Sequence, residues 1–130
     1  MTRIGLLSDT HGYFDPQLND LFKECDEIWH AGDVGNHDVY KALQKICKTI
    51  RVISGNIDGK EIRGIAPEEL FWKVENKAIF MKHIGGYPDK YTPSIRKQLL
   101  ELKPDIFVCG HSHILRVIFD KKQNVLYLNP

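Results

Sequence analysis

Seven residues of this 130-residue chain carry the donor chemistry of a metal site: Asp9, His11, Asp33, Asn56, His83, His111 and His113. They offer carboxylate, carboxamide and imidazole, with no thiolate. Such mixed oxygen and nitrogen sets suit Mn, Fe, Zn, Ni or Mg rather than a closed structural zinc. Seven donors exceed what one tetrahedral ion takes, but two divalent ions sharing a bridging carboxylate use them all. Two such ions ~3.5–4 Å apart are the usual equipment for phosphoryl hydrolysis. Two divalent cations would outweigh the carboxylates of Asp9 and Asp33, leaving a cationic site suited to hydroxide and an anionic ester.

Each donor group follows a short apolar run. Ile4–Ser8 ends on Asp9-Thr10-His11-Gly12, Ile28–Ala31 on Gly32-Asp33, and Val52–Ser54 on Gly55-Asn56-Ile57-Asp58. Ile79–Lys82 ends on His83, and Ile106–Cys109 on Gly110-His111-Ser112-His113. In open α/β sheets ligands bind outside the carboxyl ends of the strands, where these residues would meet. Strands are therefore expected over Arg3–Ser8, Glu27–Ala31, Thr49–Ser54, Leu70–Val74, Ala78–Lys82, Asp105–Cys109, Leu115–Asp120 and Val125–Leu128. Helices are expected from Asp15-Pro16 through Phe22, over Val39–Cys47, and from Thr92-Pro93 through Leu100. The first half reads βαβαβ and the second is rich in strands, an α/β layered arrangement with a mixed sheet or two packed sheets.

Composition narrows the function classes. Lysine plus arginine is 18 against 17 acids, so non-specific nucleic-acid binding is not indicated. No apolar run approaches the ~18 residues of a membrane span, and the N-terminus does not read as a secretory signal. Cys25, Cys47 and Cys109 show no CxxC spacing and read as reduced thiols of a cytoplasmic protein. The chain from 1 to 130 is expected to form one domain.

The order Asp9-x-His11, Gly32-Asp33, Gly55-Asn56, His83, Gly110-His111-x-His113 resembles the calcineurin-like metallophosphoesterase superfamily, in its small bacterial and archaeal phosphodiesterase branch. The resemblance implies a four-layer α/β/β/α sandwich of two mixed sheets. It implies one ion on Asp9, His11, Asp33 and His113, and another on Asp33, Asn56, His83 and His111, with Asp33 bridging. It implies a hydrolase with two divalent ions, Mn²⁺ foremost and Fe, Zn, Ni or Mg as alternatives. Its substrate would be a small phosphodiester attacked by a hydroxide bridging the ions, with Asn56 helping to stabilise the transition state. A phosphomonoesterase, or a catalytically weak protein-interaction scaffold of the same fold, is the alternative.

Three features depart from the family pattern. Ile57 stands where many members have a histidine that contacts phosphate or protonates the leaving group, so His37 is a candidate for that catalytic role. The lone His83 is followed by Ile84-Gly85-Gly86-Tyr87 rather than directly by glycine. Relatives continue past Asn129-Pro130 into a further strand, which this chain is expected to lack. Among the remaining residues, His37 also reads as a first-turn helix residue capped by Asn36, His30 as a packed or supporting group, and Asp58 as an orienting or turn residue. Trp29, Phe71 and Trp72 read as core. Tyr87 reads as a wall of the cleft.

Overall fold

The computed structural model describes residues 1–130. In chain order the elements are β1 (Ile4–Leu7), α1 (Leu18–Leu21), β2 (Glu27–His30), α2 (His37–Ile46), β3 (Ile50–Val52), α3 (Lys60–Arg63), β4 (Glu69–Val74), β5 (Lys77–Lys82), α4 (Pro93–Leu102), β6 (Ile106–Val108), β7 (Arg116–Asp120) and β8 (Val125–Asn129). They build an α/β sandwich of a three-stranded sheet, β1-β2-β3, and a five-stranded sheet, β4-β5-β6-β8-β7. The three-stranded sheet is wholly parallel. The mixing of strand directions lies in the other sheet, where β5, β6 and β8 are parallel while β4 and β7 run antiparallel to their neighbours.

Three apolar cores separate four layers. Leu7, Ile28 and Val52 face α2, which buries Val39 and Leu43. Trp29, Ile53, Ile79, Met81 and Val108 fill the space between the sheets. Phe80, Phe107 and Tyr127 face α4, which buries Ile95 and Leu99. Both faces of β5 and β6 are therefore covered, which is why these strands read as continuous apolar runs rather than alternating ones. Each fully buried side chain of this size stabilises the fold by ~1.5–3 kcal/mol.

Local chemistry explains the helix starts. The Asn36 side chain accepts a hydrogen bond from the Val39 N–H, and the Thr92 hydroxyl accepts one from the Ile95 N–H. Pro93 then occupies the first turn of α4, where no N–H is needed. The β4–β5 turn sets Glu75 and Asn76 at φ 47° and 70°, the handedness that fits a two-residue hairpin.

Some expectations need correction. α3 was not foreseen, because a single turn with one buried apolar residue, Ile62, leaves no periodic signal. The helix expected through Phe22 is a single turn, and its Leu21 is exposed while Leu18 and Phe22 pack inward. Phe71 is 45% exposed on the outer face of β4, whereas Trp29 is buried edge-to-face against Trp72 with ring centroids 4.9 Å apart. β8 lies inside the five-stranded sheet and β7 forms its edge, exposing Val117 and Phe119.

Candidate metal centre

The parallel strands of both sheets deliver their carboxyl ends to one end of the sandwich. There Asp9, His11, Asp33, His111 and His113 all adopt left-handed backbone, with φ between 48° and 72°. Each such non-glycine residue costs about 1 kcal/mol or more, and such strain collects at functional sites. The loops are tied together: the His11 N–H donates to the Asp33 carbonyl at 3.0 Å, and the Gly110 N–H to the His83 carbonyl at 2.9 Å.

Side-chain donors converge on a small volume. His83 Nε2 lies 3.0 Å from Asp33 Oδ2 and 3.7 Å from Asp9 Oδ1. His11 Nε2 lies 3.5 Å from Asp33 Oδ2 and 3.7 Å from Asp9 Oδ1. His113 Nε2 is 3.3 Å from Asp9 Oδ1, and His111 Nδ1 is 3.1 Å from Asn56 Oδ1. Two groups able to hold an ion emerge, Asp9 with His11 and His113, and Asp33 with His83 and His111, the donor atoms of each within 4.8 Å of one another. All seven residues read from the sequence thus gather at one place.

The donor set fits divalent ions on grounds internal to the structure. Asp9 Oδ1 and His83 Nε2 are buried without any hydrogen-bond partner. An unsatisfied buried polar atom costs ~1–3 kcal/mol, and a cation in each of the two donor groups would satisfy one of them. The Nδ1 of His83 is 2.8 Å from the Ala31 carbonyl, which assigns the proton to Nδ1 and leaves a lone pair on Nε2. Burial raises the Asp9 carboxyl pKa, but hydrogen bonds from the Ser8 hydroxyl and the His111 N–H, with His83 and His113 nearby, bring it below its ordinary value.

A second set of residues holds the donors in place. Asp58 accepts the Val34 and Gly55 N–H groups on Oδ2, at 3.2 and 2.8 Å, and the Gly35 N–H on Oδ1 at 2.9 Å. It thus clamps the Asp33 loop to the Asn56 loop, the orienting role considered for it. Asp33 Oδ1 accepts the Ile57 N–H at 3.1 Å, leaving Oδ2 to face the histidines. A Cβ on Gly55 would strike Asp33, and one on Gly110 would come within 2.6 Å of Asp9 Oδ2, so both glycines permit the close approach.

His37 is not drawn into this assembly. It is the first residue of α2, its ring stacks on Tyr40 at 5.8 Å, and it makes no hydrogen bond or ion pair with the donors. Asn36 caps the helix as the first-turn reading requires.

Sequence reasoning missed Asn129. Its buried Nδ2 donates to the Gly110 carbonyl at 3.1 Å and the Ser112 hydroxyl at 3.0 Å, bracing the loop that carries His111 and His113. A polar residue ending the alternating strand β8 was the available signal. His30 also ties two loops: Nδ1 accepts the Gly32 N–H at 3.1 Å, while Nε2 donates at 3.0 Å to Thr10 Oγ1, which itself donates to the Val34 carbonyl. Burial, the largest influence, pushes the His30 pKa down from 6.5 to about 4; Asp58 and Asp9 oppose this. The folded state therefore resists protonating His30, and the stability this reflects is complete above pH 6.5 and lost as pH falls toward 4. The expected loss is about 3 kcal/mol. Urea titrations of the metal-free protein at pH 7 and pH 4 should show it, and His30→Gln should flatten the difference.

Residues 2–130 match the calcineurin-like phosphoesterase superfamily domain, and the chain belongs to that family. It is 28% identical over 133 residues to a probable metallophosphoesterase of Methanothermobacter thermautotrophicus, covering 98% of this chain and 74% of that protein. A probable metallophosphoesterase of Methanocaldococcus jannaschii is also 28% identical, with 98% and 66% covered. Among solved structures, Vacuolar Protein Sorting 29 from Cryptosporidium parvum superposes with a TM-score of 0.78 at 24% identity, over 99% of this chain and 73% of that one. An archaeal phosphodiesterase gives 0.74 at 20% identity, over 98% and 82%. These two structural likenesses speak to the fold. The family is one of divalent-metal-dependent phosphoesterases.

Proposed function

We propose that the protein is a dinuclear metal-dependent phosphodiesterase acting on small phosphate esters. The observation that supports it most is the convergence of Asp9, Asp33 and four histidines on a point where Asp9 Oδ1 and His83 Nε2 are buried and unpartnered. Asp9, His11, Asp33 and His113 would hold one ion; Asp33, Asn56, His83 and His111 would hold the other. Mn²⁺ is the first choice, and the donor set also accepts Fe, Zn, Ni or Mg. Bound ions of this kind supply an activated water nucleophile and Lewis-acid stabilisation of charge on phosphorus oxygens.

The chain's own residues do the rest. Asp33, with one oxygen fixed by the Ile57 N–H, presents the other between His11 and His83. The Asn56 carboxamide, held 3.1 Å from His111 Nδ1, would help to stabilise the charge that develops during transfer. Ile57 has no ionisable proton to give, and His37, stacked on Tyr40, makes no hydrogen bond to the donor cluster, so we assign no general acid to the departing oxygen. Esters with good leaving groups, and diesters over monoesters, are therefore the expected substrates. The free cysteines suit a reducing cytoplasmic setting, and no helix is long and apolar enough to cross a membrane.

The test holds the leaving group constant. With Mn²⁺ supplied, kcat/KM for bis(4-nitrophenyl) phosphate should exceed that for 4-nitrophenyl phosphate by about tenfold or more, a difference of ~1.4 kcal/mol in transition-state stabilisation. The reverse order would establish a monoesterase. No hydrolysis with any of the five metals would overturn the enzyme reading and favour a scaffold of the same fold.

A further inference from the structure

We propose that the groove beside His111 is a substrate subsite for a flat heteroaromatic substituent of the phosphodiester, such as a nucleoside. The inference rests on the hydrolytic reading above and names the substrate class that the site would take. The groove encloses about 250 Å³ and runs from Gly110 and His111 to Tyr87, Ile114 and Arg116. It therefore opens directly from the donor cluster. Its volume suits one nucleoside-sized group rather than a large ligand.

Two features point to what it holds. The Arg116 guanidinium carbon sits 4.4 Å from the centre of the Tyr87 ring, and no carboxylate forms an ion pair with this arginine. The stacked pair combines a π surface with a fork of free N–H donors. A heteroaromatic ring bearing carbonyl acceptors satisfies both, whereas a small alkyl group satisfies neither. Ile84 and Ile114 add exposed apolar area, 41% and 51% of their surfaces being open.

The groove is preformed. Gly86 adopts φ +79°, and its carbonyl accepts the Tyr127 hydroxyl at 2.6 Å. The Thr92 N–H donates to the Gly85 carbonyl at 3.2 Å, and a Cβ on Gly85 would come within 2.5 Å of the Phe107 ring. Gly85 and Gly86 thus fix the loop that carries Tyr87 along the same groove as His111. A binding surface held in place loses little ordering entropy when occupied.

The test uses two esters with the same leaving group, thymidine 5′-(4-nitrophenyl phosphate) and methyl 4-nitrophenyl phosphate, with the Mn²⁺-loaded protein. Stacking and hydrogen bonding of one base predict a kcat/KM at least tenfold higher for the thymidine ester. Tyr87→Ala and Arg116→Ala should each remove most of that preference while leaving the methyl ester rate unchanged, and Tyr87→Phe should keep it. Equal rates for the two esters in the unmodified protein, or a preference that survives both alanine substitutions, would overturn the subsite. If neither ester is hydrolysed, the hydrolytic reading fails separately, and calorimetric binding of thymidine 5′-monophosphate still decides the groove. A Kd weakened about tenfold by either alanine substitution supports it, and an unchanged Kd overturns it.

Discussion

Asp33→Asn is expected to lower kcat/KM for an aryl phosphodiester by about 10³-fold, ~4 kcal/mol of transition-state stabilisation. Asp33 is the carboxylate placed between the two candidate sites, with Oδ2 3.0 Å from His83 Nε2 and 3.5 Å from His11 Nε2. Asparagine removes one negative charge at the point where two cations would share it. The substitution is otherwise mild. Asparagine tolerates the φ of 56° found at this position, and an amide oxygen can still accept the Ile57 N–H. The thermal midpoint of the metal-free protein should therefore change little, while the number of ions bound per chain, read by elemental analysis after dialysis, should fall. A variant that keeps both its ions and its rate would remove Asp33 from the centre.

A different signature is expected of Asp58→Ala: a loss of stability near 3 kcal/mol, lowering the thermal midpoint by roughly 10 °C. Asp58 is buried and belongs to neither donor group, yet it accepts three backbone N–H groups from two donor-bearing loops. Alanine strands those donors, and the buried ones, on Val34 and Gly55, cannot turn to water. Metal affinity should weaken ~10–100-fold, the usual effect of losing a group that orients ligands. Asp58→Asn should fall between the two, because one acceptor oxygen is replaced by an N–H₂ that faces a donor. Calorimetry of unfolding together with metal titration checks both arms. Unchanged stability would mean that the clamp seen here contributes nothing.

The two substitutions mark what could be read from the chain alone. Both residues were identified by type and place, Asp33 as a donor after a strand and Asp58 as an orienting or turn residue. Most of the strands were legible for the same reason. A strand buried on both faces must be apolar throughout, and a chain leaving it toward a polar site must change residue type abruptly. The runs ending at Asp9, Asp33, Asn56, His83 and His111 follow that rule, with His30, Lys82 and the terminal Ser8 and Ser54 as the polar exceptions. The four-layer arrangement came from resemblance, and the three separate cores bear it out.

Other properties depend on partners far away in sequence. The His111 N–H that helps to set the charge on Asp9 comes from 102 residues downstream. Asn129 reaches back to the Gly110–Ser112 loop, and the Tyr127 hydroxyl to Gly86, 41 residues earlier. No local pattern encodes such pairs, because each depends on which strands lie side by side. The same holds for the exposure of Phe71, the edge position of β7 and the stack of Arg116 on Tyr87. The sequence by itself determined the donor types, their order along the chain and the strands that carry them, since burial and local periodicity act over a few residues. Only the tertiary structure decided that the donors converge, which of their atoms stay unpartnered and what lies beside them. Those outcomes arise from contacts between loops that the two sheets bring to one end of the sandwich.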